Sequence, residues 1–183
     1  MSQAIPSVAY VGLGANLGDR LGSLVTAVRR MQQLPHTSVD MARGLSSIYE
    51  TTPHGVPDAQ PPYLNAVIRV CTGLAPVELL TELCGIEQSL GRVRTHRGAA
   101  RLIDLDLLFC DDLVMDGPTL TLPHPRLHER RFVLEPLAEI AADLMHPVLK
   151  CSIRDLLPDA RRSHFADRVT QFQPAPQWLD GST

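Results

Sequence analysis

The chain has 183 residues, 44% of them hydrophobic and 20% charged, with a formal net charge of -3. That length fits one domain with a real core, and the composition excludes disordered and fibrous classes. The mildly acidic total argues against broad nucleic-acid binding, and no apolar run reaches the roughly 18 to 20 residues of a membrane helix.

Residues 8–16, VAYVGLGAN, read as a first strand running into a turn. Asn16 or Asp19 is suited to cap a helix over 19–34, whose apolar positions Leu21, Leu24, Val25, Val28, Met31 and Leu34 follow a helical period. The glycines of GLGANLGDR do not complete a dinucleotide fingerprint, because Leu17 stands where GxGxxG needs its third glycine, and no P-loop motif occurs in the chain. Residues 45–50, LSSIYE, read as a second strand. The loop over 51–63, TTPHGVPDAQPPY, is stiffened by four prolines. A strand over 64–71 follows, then a helix over 76–90 opened by Pro76.

The stretch RVRTHRGAAR, residues 92–101, holds four arginines and a histidine without an acidic residue. It leads into a strand over 102–110, RLIDLDLLFC from Arg101. Side chains two apart on a strand share a face, so Asp104 and Asp106 point one way with Leu102 and Leu108. Ile103, Leu105, Leu107 and Phe109 are expected to point the other way, into the core. Two such carboxylates repel unless cations neutralise them. Oxygen ligands of this kind hold magnesium, commonly together with substrate phosphates, and arginine forks match phosphate geometry. The two segments together describe phosphoryl-type transfer.

Further on, 113–125 reads as a short hairpin and a proline-flanked turn around His124, which is suited to donate to a phosphate oxygen. A helix is expected over 127–141, starting near Arg131 and restarted or kinked at Pro136, with a short helical segment over 148–158. No zinc-ligand spacing surrounds His124 or His128. Residues 1–160 are read as one domain and 161–183 as a peripheral tail. The arrangement fits an α/β sandwich with a mixed or antiparallel sheet of about four to six strands. Cys71, Cys84, Cys110 and Cys151 form no CxxC pair and read as buried free thiols. With no basic segment followed by a long apolar one at the N-terminus, they point to a reducing, cytoplasmic compartment.

In order and spacing, GLGANLGDR, YETTPHG, QPPYLNAVI, IEQSLGRVR, RLIDLDLLF and LPHPRLHERRFVLEPL resemble the 6-hydroxymethyl-7,8-dihydropterin pyrophosphokinases of folate biosynthesis, over about residues 8–158. The resemblance implies a three-layer α/β/α sandwich with a ferredoxin-like core and a mostly antiparallel sheet. It implies a monomer, with contacts to neighbouring folate-pathway enzymes and no nucleic-acid or membrane partner. The implied activity moves pyrophosphate from ATP to the pterin hydroxymethyl group and releases AMP. Asp104 and Asp106 would hold two magnesium ions. Arg92, Arg94, Arg97, Arg101, His124 and Arg130 would serve ATP and its phosphates, with Glu87 at the base of the basic loop. Tyr63 and Phe132 would sandwich the pterin, Asn65 would read its polar edge, and Thr52, Pro53 and His54 would meet it from the first loop. Members of the family typically carry an aromatic, a proline and a threonine around Arg101. This chain has Gly98, Ala99, Ala100 and Leu102 there. A Gly-Ala-Ala stretch has more conformational freedom to lose on closing. Two other readings stay open: a different two-metal nucleotidyl or phosphoryl transferase, which would want a third acidic ligand, and a relative that is non-catalytic or altered in specificity.

Overall fold

A computed structural model describes residues 6–53, 60–92, 99–162, 169–175 and 177–179. Its central element is β1 (Ser7–Ala15), flanked antiparallel by β4 (Tyr63–Thr72) on one side and β5 (Asp104–Cys110) on the other. β4 is long enough to take two neighbours on its far edge. These are β2 (Thr37–Val39) at one end and β3 (Ile48–Thr51) at the other. β8 (Val169–Gln173) then pairs with β3, giving the order β5-β1-β4-β3-β8. A small hairpin of β6 (Met115–Asp116) and β7 (Thr121–Leu122) stands apart.

Both faces of the sheet are covered by helices. β1 alternates accordingly: Ala9, Val11, Leu13 and Ala15 face one core, and Tyr10 faces the other. The first core receives α1 (Arg20–Met31) through Leu24, Ala27, Val28 and Met31, and α2 (Pro76–Ser89) through Leu79, Leu83 and Ile86. The second receives α3 (Arg131–Ala141) through Val133, Leu134 and Leu137, and α4 (Ile153–Arg162) through Ile153 and Ala160. The result is the expected three-layer α/β/α sandwich. Its β1-α1-β3-β4-α2-β5 run has the ferredoxin-like strand order, and every strand pairing is antiparallel.

The local signals explain most of the boundaries. The Asp19 carboxylate accepts the Gly22 amide at 2.9 Å and caps α1, while Pro76 opens α2 and the Glu78 side chain accepts the Ala75 amide at 2.8 Å. α1 stops at Met31, short of the expected Leu34, and β2 has no counterpart in the sequence reading. Leu45 contributes only an isolated bridge to Ile68, so β3 begins at Ile48. α3 runs through Pro136 without a break. Proline donates no backbone hydrogen bond, so the Phe132 carbonyl lacks its usual helical donor. The last helix lies at Ile153–Arg162, further along than 148–158, and starts where Ser152 and Asp155 exchange side-chain and backbone hydrogen bonds.

Two findings correct the sequence reading more deeply. First, β5 carries a bulge. Tyr10 is opposite Phe109 and Val11 opposite Leu107, which leaves Leu108 as the extra residue. Leu108 and Phe109 therefore both join the core beneath α3, and Phe109 leaves the face of Leu105 and Leu107. Second, the described part of the C-terminal segment is not peripheral. β8 extends the sheet, and Trp178 is 0% exposed in the core beside α1, its indole N–H donating to the Ser46 carbonyl at 3.0 Å. One tryptophan in a polar, proline-containing stretch carries no periodicity, so pattern alone does not reveal it.

α3 and α4 are locked to each other by Glu135. Arg161 forks onto it at 2.8 and 2.7 Å, and Arg131 adds a bond at 2.9 Å. The Arg161 hydrogen bonds hold the Glu135 carboxyl below its ordinary range. A depressed carboxylate stabilises the fold above its unfolded pKa of about 4.3 and loses that contribution as pH falls through the folded value. Glu135→Gln should therefore lower the melting temperature near neutrality and flatten its decline between about pH 5 and 2. Thermal melts across that range check it, and an unaltered acid limb would count against the lock.

Candidate active site

The strand register builds the site. In one row across the sheet, Asp104 on β5 lies opposite Gly14 on β1, and Gly14 lies opposite Asn65 on β4; in a second row, Asp106 lies opposite Gly12. Directly paired residues share a face, so the carboxylates and the Asn65 amide rise on the side of α3, with a glycine between them. A side chain at Gly14 would meet Asn65 Oδ1 at 3.3 Å and the Asp104 Cβ at 4.0 Å. Gly14 is therefore the floor of a cleft. The cleft has room for about 170 Å³ and is lined by Gly14, Thr51, Thr52, Pro53, Tyr63, Asn65, Arg101, Asp104, Asp106, Arg130 and Phe132. A lining of aromatic walls with a few convergent polar groups suits a small molecule.

Each wall is held from behind. Thr51 accepts from the Asn65 amide at 2.8 Å, which turns the Asn65 carbonyl oxygen towards Gly14. The Arg130 guanidinium lies 5.7 Å from the centroid of the Phe132 ring, and its N–H reaches Asp106 at 3.2 Å. Arg101 donates to Asp104 at 2.6 Å, and Arg92 approaches the other Asp104 oxygen at 2.7 Å. Burial, and then the Asp106 charge, push the Asp104 carboxyl upward against the pull of these arginines. Arg92 and Arg101 hold Asp104 and Arg130 holds Asp106, positive charges in the place where a bound cation would act.

Of the other expected site residues, Glu87 is 2% exposed beneath β5, where it accepts the Leu105 amide at 2.7 Å and pairs with Arg92. Neither Glu87 nor Arg92 lines the cleft; they meet Asp104 and its strand from the far side. His124 follows a cis Leu122–Pro123 bond, and its amide donates to the Leu108 carbonyl at 2.9 Å, tying it to the bulge. Burial pushes its imidazole below the usual range, opposed by Asp106. His54, Arg94 and Arg97 lie outside the described residues. Three contributors were not singled out by residue type. Gly14 and Thr51 line the cleft, and Asn16, read as a turn or cap residue, is 1% exposed behind it. The signal for Gly14 was present as a strand glycine in GLGAN, which marks close approach by another group.

Among the described residues no group of three His, Cys, Asp or Glu side chains converges as a ready-made metal cage. Asp104 and Asp106 still fit magnesium, which keeps several waters and is commonly completed by substrate phosphates.

An antiparallel α/β sandwich whose sheet lifts two carboxylates among arginines, beside an aromatic-walled cleft, defines a protein of the polyphosphate-handling transferase class. Comparison with known proteins narrows this: the model of the family 7,8-dihydro-6-hydroxymethylpterin-pyrophosphokinase (HPPK) matches residues 10–142, and the chain belongs to that family. It is 42% identical over 139 residues to the 2-amino-4-hydroxy-6-hydroxymethyldihydropteridine pyrophosphokinase of Haemophilus influenzae, covering 76% of this chain and 84% of that one. It is 44% identical over 134 residues to the corresponding Bacillus subtilis protein, covering 73% and 78%. It is also 42% identical over 146 residues to the folic acid synthesis protein fol1 of Pneumocystis carinii, covering 79% of this chain but only 19% of that much longer relative. The fold is shared with a Plasmodium falciparum HPPK-DHPS crystallised with pterin and p-hydroxybenzoate. The TM-score is 0.65 at 16% identity, over 86% of this chain and 42% of that one.

Proposed function

We propose that the chain transfers the β,γ-diphosphate of ATP to the hydroxymethyl oxygen of 6-hydroxymethyl-7,8-dihydropterin. The observation that carries this is the row Asp104–Gly14–Asn65, which places a cation-seeking carboxylate and an amide edge on either side of an open floor. The pterin would lie between Tyr63 and Phe132, with its polar edge at Asn65 and at Thr52 and Pro53. The acceptor hydroxyl would then face Asp104 and Asp106. The hydroxyl oxygen bonds to the β-phosphorus, the bond from that phosphorus to the α-phosphate oxygen breaks, AMP leaves, and the hydroxyl proton passes to solvent.

Asp104 and Asp106 would hold two magnesium ions. When bound, such ions neutralise phosphate charge and lower the pKa of the acceptor hydroxyl. Arg101 and Arg130, which now pair with Asp104 and Asp106, would meet phosphate oxygens, to which they are matched in charge and fork geometry. Arg92 would follow the same logic from the far side of Asp104. His124, held neutral by burial, would serve as a hydrogen-bond donor to phosphate. Thr51 and Gly14 shape the acceptor side.

The test is calorimetry with magnesium, a non-hydrolysable ATP analogue and the hydroxymethyl pterin. Pterin binding that strengthens in the presence of the analogue is expected; no pterin binding at any analogue concentration would sink the proposal. A second expectation follows from the cleft floor. Gly14→Val adds bulk where a Cβ alone already sits 3.3 Å from Asn65 Oδ1. It should raise KM for the pterin by about tenfold or more, the scale of one or two misplaced methyl groups in a tight pocket. KM for ATP should move far less. Steady-state kinetics with each substrate varied in turn would show the asymmetry, and equal effects on both would contradict the floor role.

A further inference from the structure

The row of residues that builds the cleft continues past it. Beyond Asn65 come Tyr49 on β3 and Gln171 on β8, so Gln171, Tyr49, Asn65, Gly14 and Asp104 lie side by side across the sheet. α3 lies over this row. Phe132 and Glu139 are about two helical turns apart on it and therefore share its face towards the sheet. Phe132 overhangs the cleft at one end. At the other end, Glu139 Oε2 accepts the Ser47 amide at 2.8 Å and the Tyr49 hydroxyl at 3.1 Å, and its Oε1 accepts the Ser47 hydroxyl at 2.6 Å.

The partners of Glu139 are themselves held. Ser47 is 1% exposed, and its Oγ accepts Gln171 Nε2 at 2.9 Å and the Ala175 amide at 3.3 Å. Burial, and then the Glu139 charge, push the Tyr49 phenol above its ordinary range, so the hydroxyl keeps its proton and donates. The opposite end of α3 has less beneath it. Under Phe132 and Val133 the sheet presents Gly12 and Gly14, and a void of about 30 Å³ remains. The height of Phe132 is therefore not set by contacts below it. Val133, Leu134 and Leu137 press α3 onto the core, but apolar contacts are non-directional. The bonds at Glu139 are directional and fix where the helix rests. α3 is unbroken between the two residues, so a shift at Glu139 is carried to Phe132.

We infer that Glu139, through Ser47 and Tyr49, is a positioning residue that sets the gap between Phe132 and the sheet residues facing it, Tyr63 and Asn65, and so the selection of a flat ring as acceptor. This rests on the proposed transfer reaction, which places the pterin against Phe132. Glu139 does not line the cleft; it acts through the helix that carries Phe132.

The experiment is steady-state kinetics with each substrate varied in turn, beside a thermal melt, for the unaltered protein, Glu139→Ala, Glu139→Gln, Tyr49→Phe and Glu135→Gln. Glu139 stands at the solvent edge of α3, so Glu139→Ala removes the bonds without opening a void in the core. KM for the pterin should rise about tenfold in it, the low end for a misplaced contact in a tight pocket, while kcat and KM for ATP change far less. Glu139→Gln keeps an oxygen for the Ser47 amide and the Tyr49 hydroxyl and should recover most of that rise. Tyr49→Phe removes a single bond and should raise KM for the pterin roughly threefold, the scale of one hydrogen bond. Glu135→Gln loosens the same helix from α4 rather than from the sheet, so it should lower the melting temperature and leave KM for the pterin unchanged. An unchanged KM for the pterin in Glu139→Ala and Tyr49→Phe overturns the inference. So does an equal rise in Glu135→Gln, which would mark lost stability rather than lost placement. If the unaltered protein turns over no pterin, it is the transfer reaction itself that fails, and the positioning role falls with it.

Discussion

Asp106→Ala should lower kcat by roughly three orders of magnitude, the several kcal/mol that charge neutralisation at a transferring phosphoryl group supplies, while the protein stays folded. Asp106 is the more exposed of the two carboxylates, 36% against 24%, and among the described residues it pairs with Arg130 at 3.2 Å. Losing it removes a repulsive neighbour from Asp104 and costs one ion pair of Arg130, whose guanidinium still lies against the Phe132 ring. Asp104 is different. It pairs with both Arg92 and Arg101, so Asp104→Ala takes away the ion partner of Arg101 and leaves Arg92 to Glu87 alone, and should cost stability as well as activity. Circular dichroism melts beside turnover assays separate the two. A melting temperature within a few degrees for Asp106→Ala and a clearly lower one for Asp104→Ala is the expected pair. Turnover near the unaltered rate in Asp106→Ala would remove the carboxylate pair from the mechanism.

Trp178→Ala should cost about 3–5 kcal/mol, the range for deleting a large buried aromatic. For a chain of this length that is a drop of roughly 6–20 °C in melting temperature. The indole is 0% exposed, packs in the core beside α1 and satisfies the Ser46 carbonyl. Ser46 in turn donates through its hydroxyl to the Ser47 carbonyl and accepts the Val67 amide. Removal therefore opens a void and disturbs the edge where β3 meets β4. Trp178→Phe fills most of the volume but loses the hydrogen bond, and should fall between. A truncation before Val169 should behave like Trp178→Ala or worse. A full-length melting temperature in the truncated chain would return the segment to the periphery.

The parts of the fold that were legible in the sequence are those with strong local causes. Asp19 and Pro76 mark the starts of α1 and α2, and the apolar period fills the face each helix buries. The alternation around Asp104 and Asp106 correctly predicts that both share a face, because that half of β5 pairs regularly with β1. What escaped has non-local causes. β2 is three residues of unremarkable composition, held by the far end of an unusually long β4. Trp178 is buried because α1 and β3 leave a hole for it, which no window around residue 178 contains. In the site, charged and aromatic residues announced themselves by type. Gly14 matters through what it allows and Thr51 through what it holds, and that becomes visible only when three segments come together.

The bulge at Leu108 gives β5 two reading frames. Up to Leu107, odd positions face α1 and α2 and even ones face the chemistry. From Phe109 onward the assignment is reversed, with Phe109 beneath α3 and Cys110 in the opposite core. The aspartates and the anchoring aromatic can therefore both lie on the α3 side although Phe109 lies three positions, an odd offset, beyond Asp106. Deleting Leu108 would restore strict alternation with Asp106, Phe109 and Cys110 on the sides they now occupy. β1 pairs with the aspartate end over four consecutive residues, Val11 to Gly14, so the register at the carboxylates does not depend on the extra residue. The bulge thus absorbs one residue locally, and neither half of the strand is redirected by it.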